Sequence, residues 1–370
     1  MITRRAALTA ASLLPFAARA ADPIVIGVSG PLTGQYAQYG ADWKRGFDLA
    51  MKEVNDAGGI DGRPLTTDFQ DTQSDPRQSV AVAQRFVGDA RVVMELGDFS
   101  SAASMAASPI YQRGKLVQFG FTNSHPDFTK GGDYMWSNAP NQADDMPILA
   151  DYAIKKLGFR KLAVVFINGD WGRTSKDIFL KAAADRGAEV VAAEGYLPAE
   201  QDFRSTLVRV RDASPDALIL IAYYPDGAQV VRQARTMGVE QKIIATGSVY
   251  SPKFLELGGP SVEGVYTNAN FFPEDPRPVV QRFVTGYRAL YGSDPGSYNA
   301  RAYDAMVVAA TVMRQFGAER QAIHDGLAKV RDIPSVLFGS VTFDAATRRV
   351  SAPSSVDLVV KDGKFAVWKG

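Results

Sequence analysis

Short runs of β-branched and apolar residues alternate with helix-spaced apolar patterns along almost the whole chain, and no other feature restricts the fold so strongly. Ile24-Val25-Ile26-Gly27-Val28 has the make-up of a strand buried on both faces. After a turn-rich stretch, Trp43, Phe47, Ala50, Met51 and Val54 recur at helical spacing, and Gly58-Gly59 ends that helix. Leu65 to Phe69 is the next strand, and Asp75-Pro76 offers an N-cap and a first-turn proline for the helix after it. Arg91 to Leu96 and Leu116 to Phe119 are further strands, around a helix from Ser100 to Gln112. The pattern then repeats. Strands at Leu162 to Ile167, Glu189 to Ala193, Ala217 to Ala222 and Ile243 to Ala245 alternate with helices at 143–157, 175–186, near Phe203 to Val210, and 226–237. Such alternation requires right-handed βαβ crossovers and predicts an α/β fold with two doubly wound parallel sheets. Helices follow at 279–291, 300–316 and 321–330, and Val356 to Val360 with Phe365 to Trp368 form a hairpin across Asp362-Gly363.

The first twenty residues stand apart from this pattern. Arg4-Arg5, an Ala/Leu stretch from Ala6 to Ala18, and Ala18-Arg19-Ala20 before Ala21 have the layout of an export signal cut after Ala20. Pro15 and an apolar run well short of ~20 residues argue against a membrane span. Thr3-Arg4-Arg5-Ala6-Ala7-Leu8 resembles a twin-arginine signal, but Ala7 stands where a bulky residue is usual, so both export routes stay open. The remaining ~350 residues suit two lobes rather than one core. With 41 basic against 40 acidic residues, charge alone draws the protein to neither nucleic acid nor an acidic membrane. The chain has no cysteine, which excludes disulfides, thiolate metal sites, cysteine nucleophiles and a thiol for lipid attachment. A protein free in an envelope compartment, the periplasm, or secreted is therefore expected. No long linker separates the lobes, so several short crossings are expected rather than one tether.

Catalytic chemistry is missing. The two histidines, His125 and His324, are far apart; His324 falls within a helical pattern, and His125 in a Ser-His-Pro turn is open to either reading. They make no zinc motif, no G-x-S-x-G elbow follows a strand, and neither a phosphate-binding nor a dinucleotide glycine loop occurs. The adjacent Asp144-Asp145 pair reads as helix N-terminal charge rather than an acid–base couple. Neither an enzyme nor a cofactor is expected.

What remains is a set of loops where parallel strands end and helices begin, the usual place for ligands in such sheets. They are Gly30 to Gly40, Gly97 to Ser104, Gly120 to Asn123, Asn168 to Gly172 and Ala222 to Gly227. Glycine and hydroxyl residues there admit an anion to backbone N–H groups, and Tyr39, Phe99, Phe121, Trp171 and Tyr223 could form an aromatic enclosure. For any single loop, ordinary turn and cap chemistry explains the composition equally well. Five alike are harder to explain that way.

Ile26-Gly27-Val28-Ser29-Gly30-Pro31-Leu32-Thr33-Gly34, Gly58-Gly59-Ile60-Asp61-Gly62, Asp71 to Pro76, Tyr223-Tyr224-Pro225, Arg232-Gln233-Ala234-Arg235 and Tyr303-Asp304-Ala305 occur in one order. In that order they resemble the leucine/isoleucine/valine-binding proteins, the solute-binding components of ABC importers. The resemblance implies a type I periplasmic binding fold: two lobes, three crossings and a ligand cleft between them. The crossings would lie near Asn141, near Asn270 and near Phe343 to Val350. The lobes would comprise 21–141 with 270–345, and 142–269 with 346–370. It also implies a monomer that serves a membrane permease and binds no nucleic acid.

Matched residue by residue, Ser101 and Thr122, with Ser100 beside them, would hold a ligand carboxylate. Gly120 would turn its carbonyl to an amino group, and Tyr39, Trp171 and Tyr223 would form walls. Gly247 departs from the pattern, since it falls where the family carries a glutamate that pairs with the ligand ammonium. Either Asp98, Asp170 or Asp226 replaces that acid, or the ligand is an aromatic or aliphatic carboxylate or amide without an α-amino group. A sensor-type binding protein with the same fold is a further alternative.

Overall fold

The computed structural model describes residues 22–350 and 355–370, so the export segment and its cut after Ala20 lie outside the described residues. The chain begins with β1 (Ile24–Gly30), α1 (Ala37–Asp56), β2 (Leu65–Asp71), α2 (Pro76–Gly88), β3 (Val92–Gly97), α3 (Ser101–Gly114), β4 (Gln118–Gly120) and β5 (Met135–Ser137). It continues with α4 (Gln142–Asp151), β6 (Lys161–Ile167), α5 (Asp170–Ala184), β7 (Glu189–Tyr196), α6 (Arg204–Asp212), β8 (Ala217–Ile221), α7 (Tyr224–Thr236), β9 (Lys242–Ala245), α8 (Pro252–Gly258) and β10 (Tyr266–Ala269). Three helices follow, α9 (Pro278–Tyr291), α10 (Ser297–Phe316) and α11 (Arg320–Leu327). The last strands are β11 (Ile333–Ser335), β12 (Gly339–Val341), β13 (Phe343–Asp344), β14 (Arg349–Val350), β15 (Val356–Lys361) and β16 (Lys364–Val367).

Two seven-stranded sheets form, ordered β13-β14-β5-β4-β3-β1-β2 and β16-β15-β10-β9-β8-β6-β7. In the first, six strands run parallel and β13 alone is antiparallel to its neighbour; in the second, five run parallel and the β15–β16 hairpin completes the edge, so both sheets are mixed rather than purely parallel. β6 and β8 show why the parallel part is stable. Every residue of Ala217–Ile221 is buried, and so is all of β6 after Lys161, as required of strands covered on both faces. Burying one Val, Leu or Ile side chain contributes ~1.5–3 kcal/mol, so these two strands anchor the second core.

Each sheet with its covering helices is a lobe. α1 buries Tyr39, Trp43, Phe47, Ala50 and Val54 along one stripe, and α10 packs against it. Asp75 caps α2 by accepting from the N–H groups of Arg77 and Gln78, with Pro76 in the first turn; such a cap contributes ~1 kcal/mol. α11 is tied to the first sheet by Arg320, whose guanidinium donates to the carbonyls of Phe86, Val87, Asp89 and Val92.

The chain leaves the first sheet after Ser137, returns to it for β13, and re-enters the second at Val356, which makes three passages. Position 345/346, the boundary expected for the second lobe, falls in the turn of the β13–β14 hairpin, and both strands of that hairpin belong to the first sheet. The parallel strands of both sheets are wound in the same order, so each lobe has its crevice at the carboxyl ends of the strands that flank the reversal: β1 and β3, β6 and β8. β5, α8 and β10 were not apparent from sequence pattern. Met135–Ser137 is only three residues long, and Tyr-Thr-Asn-Ala in β10 is too polar to resemble a central strand.

Candidate functional site

The two crevices face each other across one cleft of about 780 Å³, measured with its open mouth. Its first-lobe wall includes Phe99, Ser101, Thr122, Ser124, Tyr298 and Arg301; its second-lobe wall includes Gln142, Asp145, Trp171, Tyr223, Gly247 and Ser248. Of the residues expected from sequence, Phe99, Ser101, Thr122, Trp171, Tyr223 and Gly247 line it.

The loop after β3 is built around Asp98, which is 1% exposed. Its carboxylate accepts from the hydroxyls of Thr72 (2.6 Å), Ser74 (3.0 Å) and Ser79 (2.6 Å) and from the Phe99 N–H. Burial raises its pKa and these donors pull the other way. With its acceptors used, Asp98 fixes the loop instead of facing a ligand. Ser100 is likewise spent, as the N-cap of α3, accepting from the Ala103 N–H at 3.2 Å. Ser101 is the first residue of that helix, so a hydroxyl and the unpaired N–H groups of a helix start meet at the cleft wall. Thr122 stands beside them, its hydroxyl 3.4 Å from the Asp98 carbonyl.

Aromatic rings fill the middle. Tyr39 stacks on Phe99 at 4.1 Å between centroids, Phe99 meets Tyr223 at 5.0 Å, and Tyr223 stacks on Trp171 at 4.7 Å. The row passes from one lobe to the other. Hydrogen bonds cross with it: Tyr39 Oη donates to the Ser248 carbonyl (2.9 Å), Tyr224 Oη to the Gln35 carbonyl (3.1 Å), and Trp171 Nε1 to Ser124 Oγ (3.1 Å). The structure is therefore a closed arrangement of the lobes. Trp171 reaches this position because α5 starts at Asp170, five residues earlier than the sequence pattern placed it.

Several expected residues are elsewhere. Tyr39 is fully buried behind Phe99, with its hydroxyl in the interlobe contact. Phe121 packs in the core against Trp43 (4.6 Å) and Phe47 (5.4 Å). Gly120 is pressed against Phe128, whose ring lies 2.7 Å from where a Cβ would stand. None of the three acids weighed as the ammonium partner lines the cleft. Asp98 is saturated, Asp170 pairs with Arg173, and Asp226 accepts from the Tyr196 hydroxyl, its pKa raised to about 6 by burial.

One acid does line it. Asp145, in the first turns of α4, lies on the helix face that buries Gln142, Met146 and Leu149. Desolvation raises its pKa to about 7; the Arg301 guanidinium opposes the rise and Asp144 adds to it. Arg301, on α10 of the other lobe, donates to Asn270 Oδ1 at 3.0 Å and sits 5.8 Å from the Tyr298 ring centroid. Among the described residues its buried Nε has no partner, and neither has the buried Oε1 of Gln142. Periodicity offered a signal for Asp145, four residues before Leu149. Arg301 had none beyond its place at a helix start. Among the described residues no group of three or more acids and histidines could hold a metal, and no helix is long and apolar enough to cross a membrane.

Comparison with known proteins agrees with this architecture. Residues 23–364 match the family model described as periplasmic binding protein. A Leu/Ile/Val-binding protein homolog 1 from Brucella melitensis is 27% identical over 338 residues, 90% of each chain. The branched-chain amino acid transporter substrate-binding protein LivJ from Streptococcus pneumoniae, solved with isoleucine, is 25% identical; the alignment covers 93% of this chain and 97% of that one, at a TM-score of 0.87. A leucine-binding protein LivK from Thermotoga maritima is 25% identical, covering 94% and 98%, at 0.86. A two-lobed α/β frame with one cleft between the lobes and a family match over residues 23–364 lead to one conclusion: the chain belongs to the periplasmic binding proteins, a family that captures solutes and does not transform them.

Proposed function

We propose that this protein is the extracytoplasmic solute-binding component of an ABC importer, and that it captures an amino acid or a related small organic carboxylate by lobe closure and hands it to a membrane permease. The cleft carries this reading: it presents a helix start with two hydroxyl side chains from the first lobe and stacked aromatic rings from the second. An anion at the start of α3 gains up to ~2 kcal/mol from the helix dipole in a partly buried geometry. The rings offer apolar contact to the rest of a small solute. A relative solved with isoleucine supports the amino-acid class, and an export-type N-terminus supports the periplasm.

A second reading, a carboxylate without an α-amino group, draws on Gly247. A Cβ there would stand 2.6 Å from the Asn268 carbonyl oxygen, so the family's glutamate has no room at this position. Mass spectrometry of small molecules released from protein purified without unfolding tests the proposal, followed by calorimetry with leucine, phenylalanine and their des-amino counterparts. A retained or titratable small carboxylate is expected. Steady conversion of that solute to product, or failure of every carboxylate to bind, overturns it.

A further inference from the structure

The cleft walls are oppositely charged. The first lobe presents Arg301 and the positive end of α3, while the second presents Asp145, and these two side chains are the charged groups among the described residues of the lining. They face each other without direct contact. Among the described residues the Asp145 carboxylate meets no hydrogen-bond donor, although the cleft shelters much of it from water. Arg301 is held at one end by Asn270 and against Tyr298, and its Nε has no acceptor among the described residues.

A sheltered carboxylate without a donor is costly, and so is a buried guanidinium nitrogen without an acceptor. A pair that served only to hold the lobes together would be closed by its own hydrogen bonds. This one is left open on both sides of a ligand-sized space. Position 247 has no room for an acid, Asp98 is bonded within its own lobe, Asp170 pairs with Arg173, and Asp226, bonded to Tyr196 through one oxygen only, stands outside the cleft lining.

We infer that Asp145 is the acid that pairs with an ammonium group on the captured solute, while the anionic end of the same solute is held by the Ser101, Thr122 and Arg301 wall of the opposite lobe. The inference rests on the solute-binding reading above and narrows it to solutes bearing both charges. A zwitterion is attracted by both walls and spans them, so its binding energy is realised only when the lobes are closed. An anion alone meets the first wall and is repelled by Asp145.

The pH dependence has a definite sign. The titratable and charged groups beside Asp145 are Arg301 and Tyr298 on α10 and Asp144 on its own helix. With its free pKa near 7, Asp145 must lose a proton to pair with an ammonium. Affinity for a zwitterion therefore falls on acidification below neutrality, towards tenfold per pH unit. Affinity for a des-amino acid moves the other way, because protonation removes the repulsion.

The test is calorimetry on the full mature chain between pH 5.5 and 8.5. The probes are the common α-amino acids, 4-aminobutyrate, 4-methylpentanoate and 3-phenylpropionate. We expect amino-bearing probes to bind at least tenfold more tightly than their des-amino counterparts at pH 7.5, with the falling acid limb described above. Asp145→Asn should weaken the amino-bearing probes at least tenfold, abolish that limb, and leave des-amino binding unchanged or tighter; Asp145→Glu should restore the limb. Equal binding of amino acids to wild type and Asp145→Asn overturns the inference. So does tighter binding of des-amino acids by the wild type, which nonetheless leaves a solute-binding protein. If no probe of either class binds, the functional reading falls with it. The wild-type pH limb needs no variant, so a poorly folding Asp145→Asn does not spare the inference.

Discussion

Asp98 and Asp145 are both sheltered acids within reach of the same cleft, yet they are opposites. Asp98 receives three hydroxyls and a backbone N–H from its own lobe. Asp145 receives no donor from the described residues and faces a guanidinium across a gap. The first carboxylate is a fixed point around which the loop after β3 is shaped. The second is an incomplete interaction. Burial raises the pKa of both, so the shift alone does not separate structural from ligand-facing acids; the census of donors does.

The largest test of this contrast is removal of the fixed point. Asp98→Ala leaves three hydroxyls and an N–H without their acceptor, and should destabilise the protein by ~3–5 kcal/mol in urea denaturation. A loss below 1 kcal/mol would mean that the loop does not depend on this acid. Next is the wall that Asp98 supports. Ser101→Ala with Thr122→Ala should weaken carboxylate binding at least tenfold, ~1.4 kcal/mol, by calorimetry, while the thermal midpoint of the ligand-free protein stays close to wild type. Unchanged affinity would place the anion elsewhere.

Asp145 should respond in the opposite direction to Asp98. Its folded pKa lies above the usual carboxylate value, so the folded state holds the extra proton. Its contribution to stability is neutral below the unfolded pKa and becomes unfavourable as pH rises towards about 7. Asp145→Asn should stabilise the ligand-free protein at pH 8 by about 1 kcal/mol, allowing for solvent screening in the cleft, and have no effect near pH 4. Denaturation midpoints at the two pH values check the sign. The smallest effect is expected at the lobe contact. Tyr39→Phe removes a hydroxyl that donates to the Ser248 carbonyl and accepts from the Tyr224 N–H, at a cost of ~0.5–1.5 kcal/mol to the closed state. X-ray scattering should then report a larger radius without ligand than for wild type, and the same radius when saturated.

Much of this molecule is legible in its sequence. The buried runs of β1, β6 and β8 identify themselves because a strand covered on both faces has no polar alternation to confuse. Asp75-Pro76 marks a helix start because the cap and the fixed φ are local properties. The cleft is legible only in part. Phe99, Ser101, Thr122, Trp171 and Tyr223 follow from their place at strand ends and Gly247 from the family resemblance alone, whereas Tyr39 and Phe121 are drawn into the interior by neighbours distant in sequence. Asp144 and Asp145 look alike as a pair, and the phase of α4 separates them: it turns Asp145 towards the cleft with Met146. No sequence pattern places Arg301 opposite Asp145, because α4 and α10 are brought face to face by the return of the chain to the first lobe.

That return also affects how the molecule is completed. The open edge of β5 is covered by β14, and that of β10 by β15, both supplied by residues after 348. Until that segment is in place, each sheet carries a bare row of backbone donors and acceptors, the kind of edge on which chains pair with one another. One short stretch closes both, so an open edge on each sheet persists until residues 349–361 are in place.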